Sequence, residues 1–267
     1  MKRALDSVNE RIIAAVQKRP PGVVVSAQVP RLVAVSKLKP VSSIIEAYDC
    51  GQRYFGENYI QELEEKSNSE LIAERCPDIK FHFIGHLQSN KVNKLLKVRN
   101  LHIVESVDSE KLASLIDRAI ERHRDEISND QIGRPHPDRC TQGDCPQQSD
   151  GRLKVMIQVN TSGEEQKNGV QPDDAPSLAE YITHRCRWLS LAGIMTIGKL
   201  EGWPPGTPNK DFTCLYDLRT TIARKISVEP QTLELSMGMS SDFEDAILLG
   251  SSNVRVGTLI FGERAPR

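Results

Sequence analysis

From residue 31 onward the chain alternates short β-branched apolar runs with longer stretches in which apolar residues recur at helical spacing. That rhythm predicts strand–helix units and a parallel sheet. The runs place strands at Arg31–Lys37, Tyr54–Asn58, Phe81–His86, Leu101–Val107, Leu153–Asn160, Leu191–Gly198, Leu233–Ser240 and Val254–Phe261. Eight strands are the number that closes a small parallel barrel, so the expected fold class is α/β, a (β/α)8 TIM barrel. Ahead of it, Leu5, Val8, Ile12, Ala15 and Val16 form one stripe of an extra N-terminal helix, stopped by Pro20, Pro21 and Gly22. In Ser109–Arg124 the residues Leu112, Leu115, Ile116, Ala119 and Ile120 make a face that should pack on the barrel. S-D-F-E at Ser241–Glu244 fits a capping box with Ser241 as the cap, and Gly250 ends the helix it opens.

Two stretches break the rhythm. His123–Gly151 is polar, rich in Pro, Gly, Asp and Gln, and predicts a disordered surface loop. Glu201–Lys210 is dense in Pro and Gly and follows the sixth strand.

Length adds that one barrel domain can span residues 1–267, since such barrels need about 250 residues. Apolar residues make up 38% of the chain without any run of the roughly 20 residues a membrane span requires, so a soluble protein is expected. The formal charge of −1 recommends neither nucleic acid nor an anionic membrane as partner. Any anion must therefore be held locally. The six scattered cysteines and the absence of a secretory signal point to a reduced, cytoplasmic location, with a mitochondrial fraction also compatible.

Candidate chemistry gathers at the C-terminal ends of the strands, the face where barrel enzymes build their sites. A-V-S-K puts Lys37 at the end of the first strand, where partial burial or a neighbouring cation would favour the unprotonated amine that forms Schiff bases; a solvated loop lysine is the plainer alternative. Lys39 is read as solvated. After strand 7, S-M-G-M-S-S offers a glycine and hydroxyls before a helix start, with Ser240 as the phosphate ligand. After strand 8, Gly257 and Thr258 add backbone N–H groups and another hydroxyl, although tight packing alone could explain them. Arg255 lies in a strand expected to be buried on both faces, so its guanidinium needs an acceptor. A phosphate, a heteroaromatic nitrogen or a carboxylate on a neighbouring strand would each serve.

Asn58, at the end of strand 2, is a further candidate contact. His82 and His86 can be core histidines or site residues, His86 being nearer its strand end. Met195 and Thr196 would line the same mouth, with Met195 more simply core filling. His136, Cys140 and Cys145 are too loosely spaced, and lack a fourth ligand, for a zinc site.

Five ordered motifs complete the picture: A-V-S-K at Ala34–Lys37, F-G-E-N-Y at Phe55–Tyr59, H-F-I-G-H-L-Q at His82–Gln88, L-S-M-G-M-S at Leu235–Ser240 and V-R-V-G-T at Val254–Thr258. With them the chain resembles the YggS/PROSC family of pyridoxal phosphate homeostasis proteins over nearly its whole length outside the polar loop. RLVAVSK and LKVMIQVNTSGEE resemble the eukaryotic branch in particular. The resemblance implies a barrel like the N-terminal domain of bacterial alanine racemase, with pyridoxal 5′-phosphate carried as a Schiff base on Lys37. It also implies phosphate contacts from Ser240, Gly257 and Thr258, and Arg255 beside the pyridine nitrogen; Asn58 is kept with them as a cofactor contact. Three departures stand out: Leu38 where the family usually has threonine, a longer loop after residue 122, and an ending F-G-E-R-A-P-R without the usual Asp-Tyr continuation.

Cofactor binding alone does not make an enzyme, because turnover also needs a bound substrate and placed acid and base groups. Only six residues follow Phe261, so no second domain is expected to bring the opposite-face tyrosine that alanine racemases use. The expectation is a monomeric carrier without catalytic residues, which stores pyridoxal phosphate, limits its reactive aldehyde and meets apo-enzymes transiently. The alternatives are an amino-acid racemase with Lys37 as one base and a cofactor-free Schiff-base aldolase.

Overall fold

A computed structural model describes residues 1–130, 151–164, 168–199, 203, 207 and 209–263. Eight strands form one closed, all-parallel barrel: β1 (Arg31–Val35), β2 (Tyr54–Glu57), β3 (Lys80–Phe83), β4 (Leu101–Val107), β5 (Leu153–Gln158), β6 (Leu189–Met195), β7 (Glu234–Ser236) and β8 (Asn253–Val256). β8 returns to β1 with Leu32 opposite Val254 and Val33 opposite Arg255. The helices are α1 (Lys2–Gln17), α2 (Val41–Asp49), α3 (Ile60–Ser67), α4 (Glu70–Arg75), α5 (Val92–Leu95), α6 (Glu110–Asp130), α7 (Ala175–Arg185), α8 (Lys210–Lys225), α9 (Phe243–Leu248) and α10 (Thr258–Phe261).

Every strand except β4 stops short of its predicted C-terminal end. Hydrophobicity marks burial rather than ladder hydrogen bonds, and the apolar residues past the ladders, such as Ile84 and Ile197, line the barrel mouth instead. The largest overrun is in β8: the residues from Thr258 to Phe261 form α10, not strand. α6 keeps its expected buried face at Leu112, Ile116, Ala119 and Ile120 but continues beyond Arg124 to Asp130, so the predicted loop begins later than His123. Residues 131–150, with His136, Cys140 and Cys145, and most of Glu201–Lys210 lie outside the described residues.

α1 is present as predicted, with Leu5, Val8, Ile12 and Ala15 buried, and it packs on α9 and α10. The capping box is not. α9 begins at Phe243, and Ser241 makes no cap. Asp242 Oδ1 instead accepts from the Met239 N–H at 2.7 Å. Glu244 turns outward to Arg11 of α1, at 2.7 Å, so an interhelical ion pair outcompetes the local turn.

Strand alternation sorts the core into two populations. Leu32 and Ala34, Phe55, Phe81 and Phe83, Val155 and Ile157, and Val254 and Val256 face the helices and join the main apolar cluster. The interior side is strongly polar. It carries Arg31 paired with Glu234 at 2.7 Å near the bottom, then His82, Glu105, Ser236 and Asn253, all buried, and Arg255 above them. Met195 fills a small interior cluster with Ile103 and Met156. No helix among the described residues is long and apolar enough to cross a membrane.

Candidate functional site

Residues from the C-terminal ends of the strands enclose a cavity of about 560 Å³, and Lys37, Asn58, Ser240, Arg255, Gly257 and Thr258 all line it. Among the described residues, every charged side chain in the lining is a cation: Lys37, Lys39 and Arg255. The chain as a whole carries a charge of −1, so this is a local attractor for anions.

The parity of β1 explains Lys37. Arg31, Val33 and Val35 face inward, and two residues later Lys37 continues on the same side into the cavity lined by Val35. Ser36, pointing the other way, enters a buried network with α3. Its hydroxyl donates to Glu57 Oε1 at 2.7 Å, and Lys66 Nζ donates to the Ser36 carbonyl at 2.8 Å and to Glu57 Oε1 at 2.7 Å. Lys66 also pairs with Glu62 at 2.6 Å, and Glu62 Oε1 accepts from the Leu38 N–H at 2.6 Å. Leu38 holds φ at +61°, a strained conformation for a leucine, and this network fixes it there. Burial pushes the Glu57 carboxyl up to about 6 even though Lys66 and Ser36 pull it down. None of these partners stood out in the sequence reading, although F-G-E-N places a carboxylate inside a buried strand.

Lys39 is not the freely solvated residue expected. Its ammonium donates to the carbonyls of Phe261 at 2.9 Å and Glu263 at 3.0 Å, joining the loop after β1 to the segment after β8.

The loops after β7 and β8 are stitched into one surface. The Arg255 N–H donates to Gly238 O at 3.0 Å, and the Gly257 N–H donates to Ser240 Oγ at 3.3 Å. Gly238 has φ +96°, and a Cβ there would lie 2.6 Å from the Ala246 Cβ, so only glycine lets this loop lie against α9. On the opposite wall, Gly85 comes so close to Asn58 that an added Cβ would lie 1.9 Å from the Asn58 carbonyl oxygen. The Asn58 Oδ1 is buried and meets no hydrogen-bond partner among the described residues.

Arg255 is 4% exposed and finds two protein acceptors, Ser236 Oγ at 2.6 Å and Thr196 O at 2.7 Å. Glu105 stands behind Ser236 and accepts its hydroxyl at 2.5 Å. The expected choice between a ligand and a carboxylate on a neighbouring strand was thus too narrow: the carboxylate comes from β4, across the barrel, through a serine. Glu105 carries the same signal in the sequence as Arg255, a charged residue within an apolar strand run, L-H-I-V-E-S-V.

His82 is a core residue bonded to Glu105 at 2.5 Å, and His86 is exposed, 3.8 Å from Asp108; neither lines the cavity. Met195 does not line it either; Ile197, two residues on, does. Thr196 contributes its carbonyl to Arg255 rather than its side chain to the cavity. Among the described residues no cluster of side chains could hold a metal ion.

The arrangement suits a small, flat molecule with a phosphate and an electrophilic carbon. A lysine amine and a cradle of hydroxyls and N–H groups share one cavity with Arg255, which has five N–H donors and spends two on protein. The unpartnered Asn58 oxygen offers one more polar contact.

Comparison with known proteins shows the family. The family model described as alanine racemase, N-terminal domain, matches residues 24–265. A pyridoxal phosphate homeostasis protein of Bos taurus is 47% identical over 98% of this chain and 86% of its own length. One of Vibrio cholerae is 40% identical over 88% of this chain and 85% of its own. Among solved structures, PipY of Synechococcus elongatus with PLP bound is 31% identical, with a TM-score of 0.64 over 96% of this chain and 100% of that one.

Proposed function

Because the chain belongs to the alanine racemase N-terminal domain family, and within it to the pyridoxal phosphate homeostasis proteins, we propose that it binds pyridoxal 5′-phosphate as a Schiff base on Lys37 and acts as an intracellular carrier of that cofactor. One observation carries the reading: the Lys37 amine and the candidate anion cradle of Ser240, Gly257 and Thr258 line a single cavity whose charged side chains, among the described residues, are all cations.

When bound, the cofactor supplies an aldehyde that condenses with amines, losing water, and an electron-withdrawing ring. The remaining chemistry belongs to the chain. Ser240 and Thr258 would offer hydroxyls to the phosphate, and Gly257, whose N–H donates to Ser240 Oγ at 3.3 Å, would hold that serine and let the backbone approach closely. Asn58, whose buried Oδ1 has no partner among the described residues, would offer the cofactor one further polar contact. Arg255 offers an N–H to the pyridine nitrogen and keeps its proton, because a guanidinium does not deprotonate at neutral pH. A guanidinium in that place would leave the ring nitrogen unprotonated and so limit the electron withdrawal the cofactor could supply, which suits storage better than turnover. Lys66, Glu57 and Glu62 hold the Ser36–Leu38 backbone and with it the base of the Lys37 side chain.

A carrier needs the amine, the cradle and a mouth open to exchange, and no substrate-specific acid or base. Among the described residues lining the cavity, Lys37 and Lys39 are the groups able to move a proton, and Lys39 is spent on two carbonyls. That supports storage, protection and supply of cofactor to apo-enzymes over racemisation. Borohydride reduction of cofactor-saturated protein, followed by peptide mass spectrometry, tests the assignment. A phosphopyridoxyl group on the Lys37 peptide is expected; an unmodified Lys37 peptide overturns it.

A further inference from the structure

Beneath Arg255 runs a chain of buried hydrogen bonds that the proposed function does not require. The guanidinium donates to Ser236 Oγ at 2.6 Å; that hydroxyl donates to Glu105 Oε2 at 2.5 Å; Glu105 Oε1 takes Asn253 Nδ2 at 2.9 Å and His82 Nδ1 at 2.5 Å. All five side chains are at most 4% exposed. The polarity of the chain is set by its ends. Arginine can only donate and an ionised carboxylate can only accept, so the Ser236 proton is committed to Glu105 and its lone pair to Arg255. A hydroxyl bonded to a carboxylate is a stronger acceptor than a free one, through mutual polarisation. Burial alone would push the Glu105 carboxyl up, but the hydrogen bond and charge of His82, with the charge of Arg255, hold it at about 2.

A buried guanidinium without a counter-charge would be severely penalised. Here the larger part of the counter-charge is supplied at one remove, by Glu105 on the far wall of the barrel, and Asp242 after β7 adds to it. This differs from a direct Arg–carboxylate fork, which would occupy two parallel N–H groups of the guanidinium. With a serine between, Nη1 needs one N–H for Ser236 and Nη2 one for the Thr196 carbonyl, fixing the guanidinium plane while further N–H groups stay uncommitted.

We infer that Ser236, Glu105 and His82 are positioning residues for Arg255: His82 holds Glu105 in place, Glu105 supplies the negative charge from below, and Ser236 passes its hydrogen bond to the guanidinium, so that the uncommitted N–H groups would meet the cofactor's ring nitrogen in one fixed geometry. The inference rests on the proposed placement of that nitrogen against Arg255. A merely structural role would cost stability but leave the bound cofactor's spectrum and residence unchanged.

The experiment uses the cofactor-loaded protein and reads two signals: the visible absorption band and the rate at which cofactor leaves to an excess of an amine trap. Ser236→Ala removes the relay at its centre with little change in volume; Ser236→Thr restores a hydroxyl. We expect Ser236→Ala to shift the band and speed release by about tenfold, as for loss of a hydrogen bond to a charged group, and Ser236→Thr to reverse most of both. Glu105→Gln should act in the same direction, and should it fail to fold, the serine pair still decides the matter. The same serine change in an Arg255→Gln background should alter release by less than about twofold, because residues acting through one group are not additive. An equal factor in both backgrounds, or an unchanged band in Ser236→Ala, overturns the relay. Loss of the borohydride-fixed adduct from the parent protein would instead remove the cofactor assignment, and the relay with it.

Discussion

The Lys66 ammonium donates to the Ser36 carbonyl at 2.8 Å, one residue ahead of Lys37. A buried cation on α3 thus fixes the backbone from which Lys37 projects, and the same cation is shared by Glu57 and Glu62.

This sharing makes stability depend on pH in a definite direction. Burial raises the Glu57 carboxyl from 4.5 to about 6, despite the pull of Lys66 and Ser36. The folded state holds that proton more tightly than the unfolded chain, so the contribution is fully present below about 4.5 and is lost as pH rises through about 6. The loss should amount to about 2 kcal/mol. Denaturant melts of the parent and Glu57→Gln across this window should show a falling component in the parent only; parallel curves would contradict the burial argument.

Gly238→Ala tests how tightly the loop after β7, the proposed phosphate cradle, is held against α9. The position has φ +96°, and a Cβ would lie 2.6 Å from Ala246 and 2.8 Å from the Phe243 backbone. Strain and overpacking together should cost about 2–4 kcal/mol in a chemical melt and weaken cofactor retention on dialysis. Unchanged stability would show that the loop moves freely.

Ser240→Ala separates phosphate recognition from amine chemistry. Affinity for pyridoxal phosphate should fall by about tenfold, consistent with loss of a hydrogen bond to a charged group. Affinity for pyridoxal, which lacks the phosphate, should stay the same in parent and variant. An equal loss for both ligands would place Ser240 elsewhere on the cofactor.

A carrier and a racemase differ at the amino-acid α-carbon. Incubating the loaded protein with alanine in deuterated water should give no more exchange than free pyridoxal phosphate does, followed by mass spectrometry. Exchange above that background, lost in Lys37→Ala, would establish turnover and restore the racemase reading.

The barrel was legible because each strand–helix unit repeats one simple alternation, and the strand starts at Arg31, Tyr54, Leu101 and Leu153 follow from it directly. The strand ends were not, because residues such as Ile84 and Ile197 stay apolar after the ladder stops in order to wall the cavity. Lys37, Ser240 and Arg255 could be picked out one at a time, from strand-end position, hydroxyl chemistry and the cost of a buried cation. The partners of Lys66 and Glu105 could not, since α3 meets the loop after β1 and β4 meets β7 and β8 only in three dimensions. The Ser241 capping box failed for a related reason: local pattern proposed Glu244 as the partner, and Arg11, distant in sequence, took it.

The closure of the barrel gives the Lys39 tether a wider meaning. β1 and β8 form the seam where the first and last strands of the sheet zip together, and Lys39 clasps that seam at its upper lip through Phe261 and Glu263. A ligand joined to Lys37 on one side and cradled by Thr258 on the other would lie across the same seam like a stitch. Occupancy and the integrity of the cylinder would then be coupled by mass action, the emptied vessel being the one most ready to part along that line.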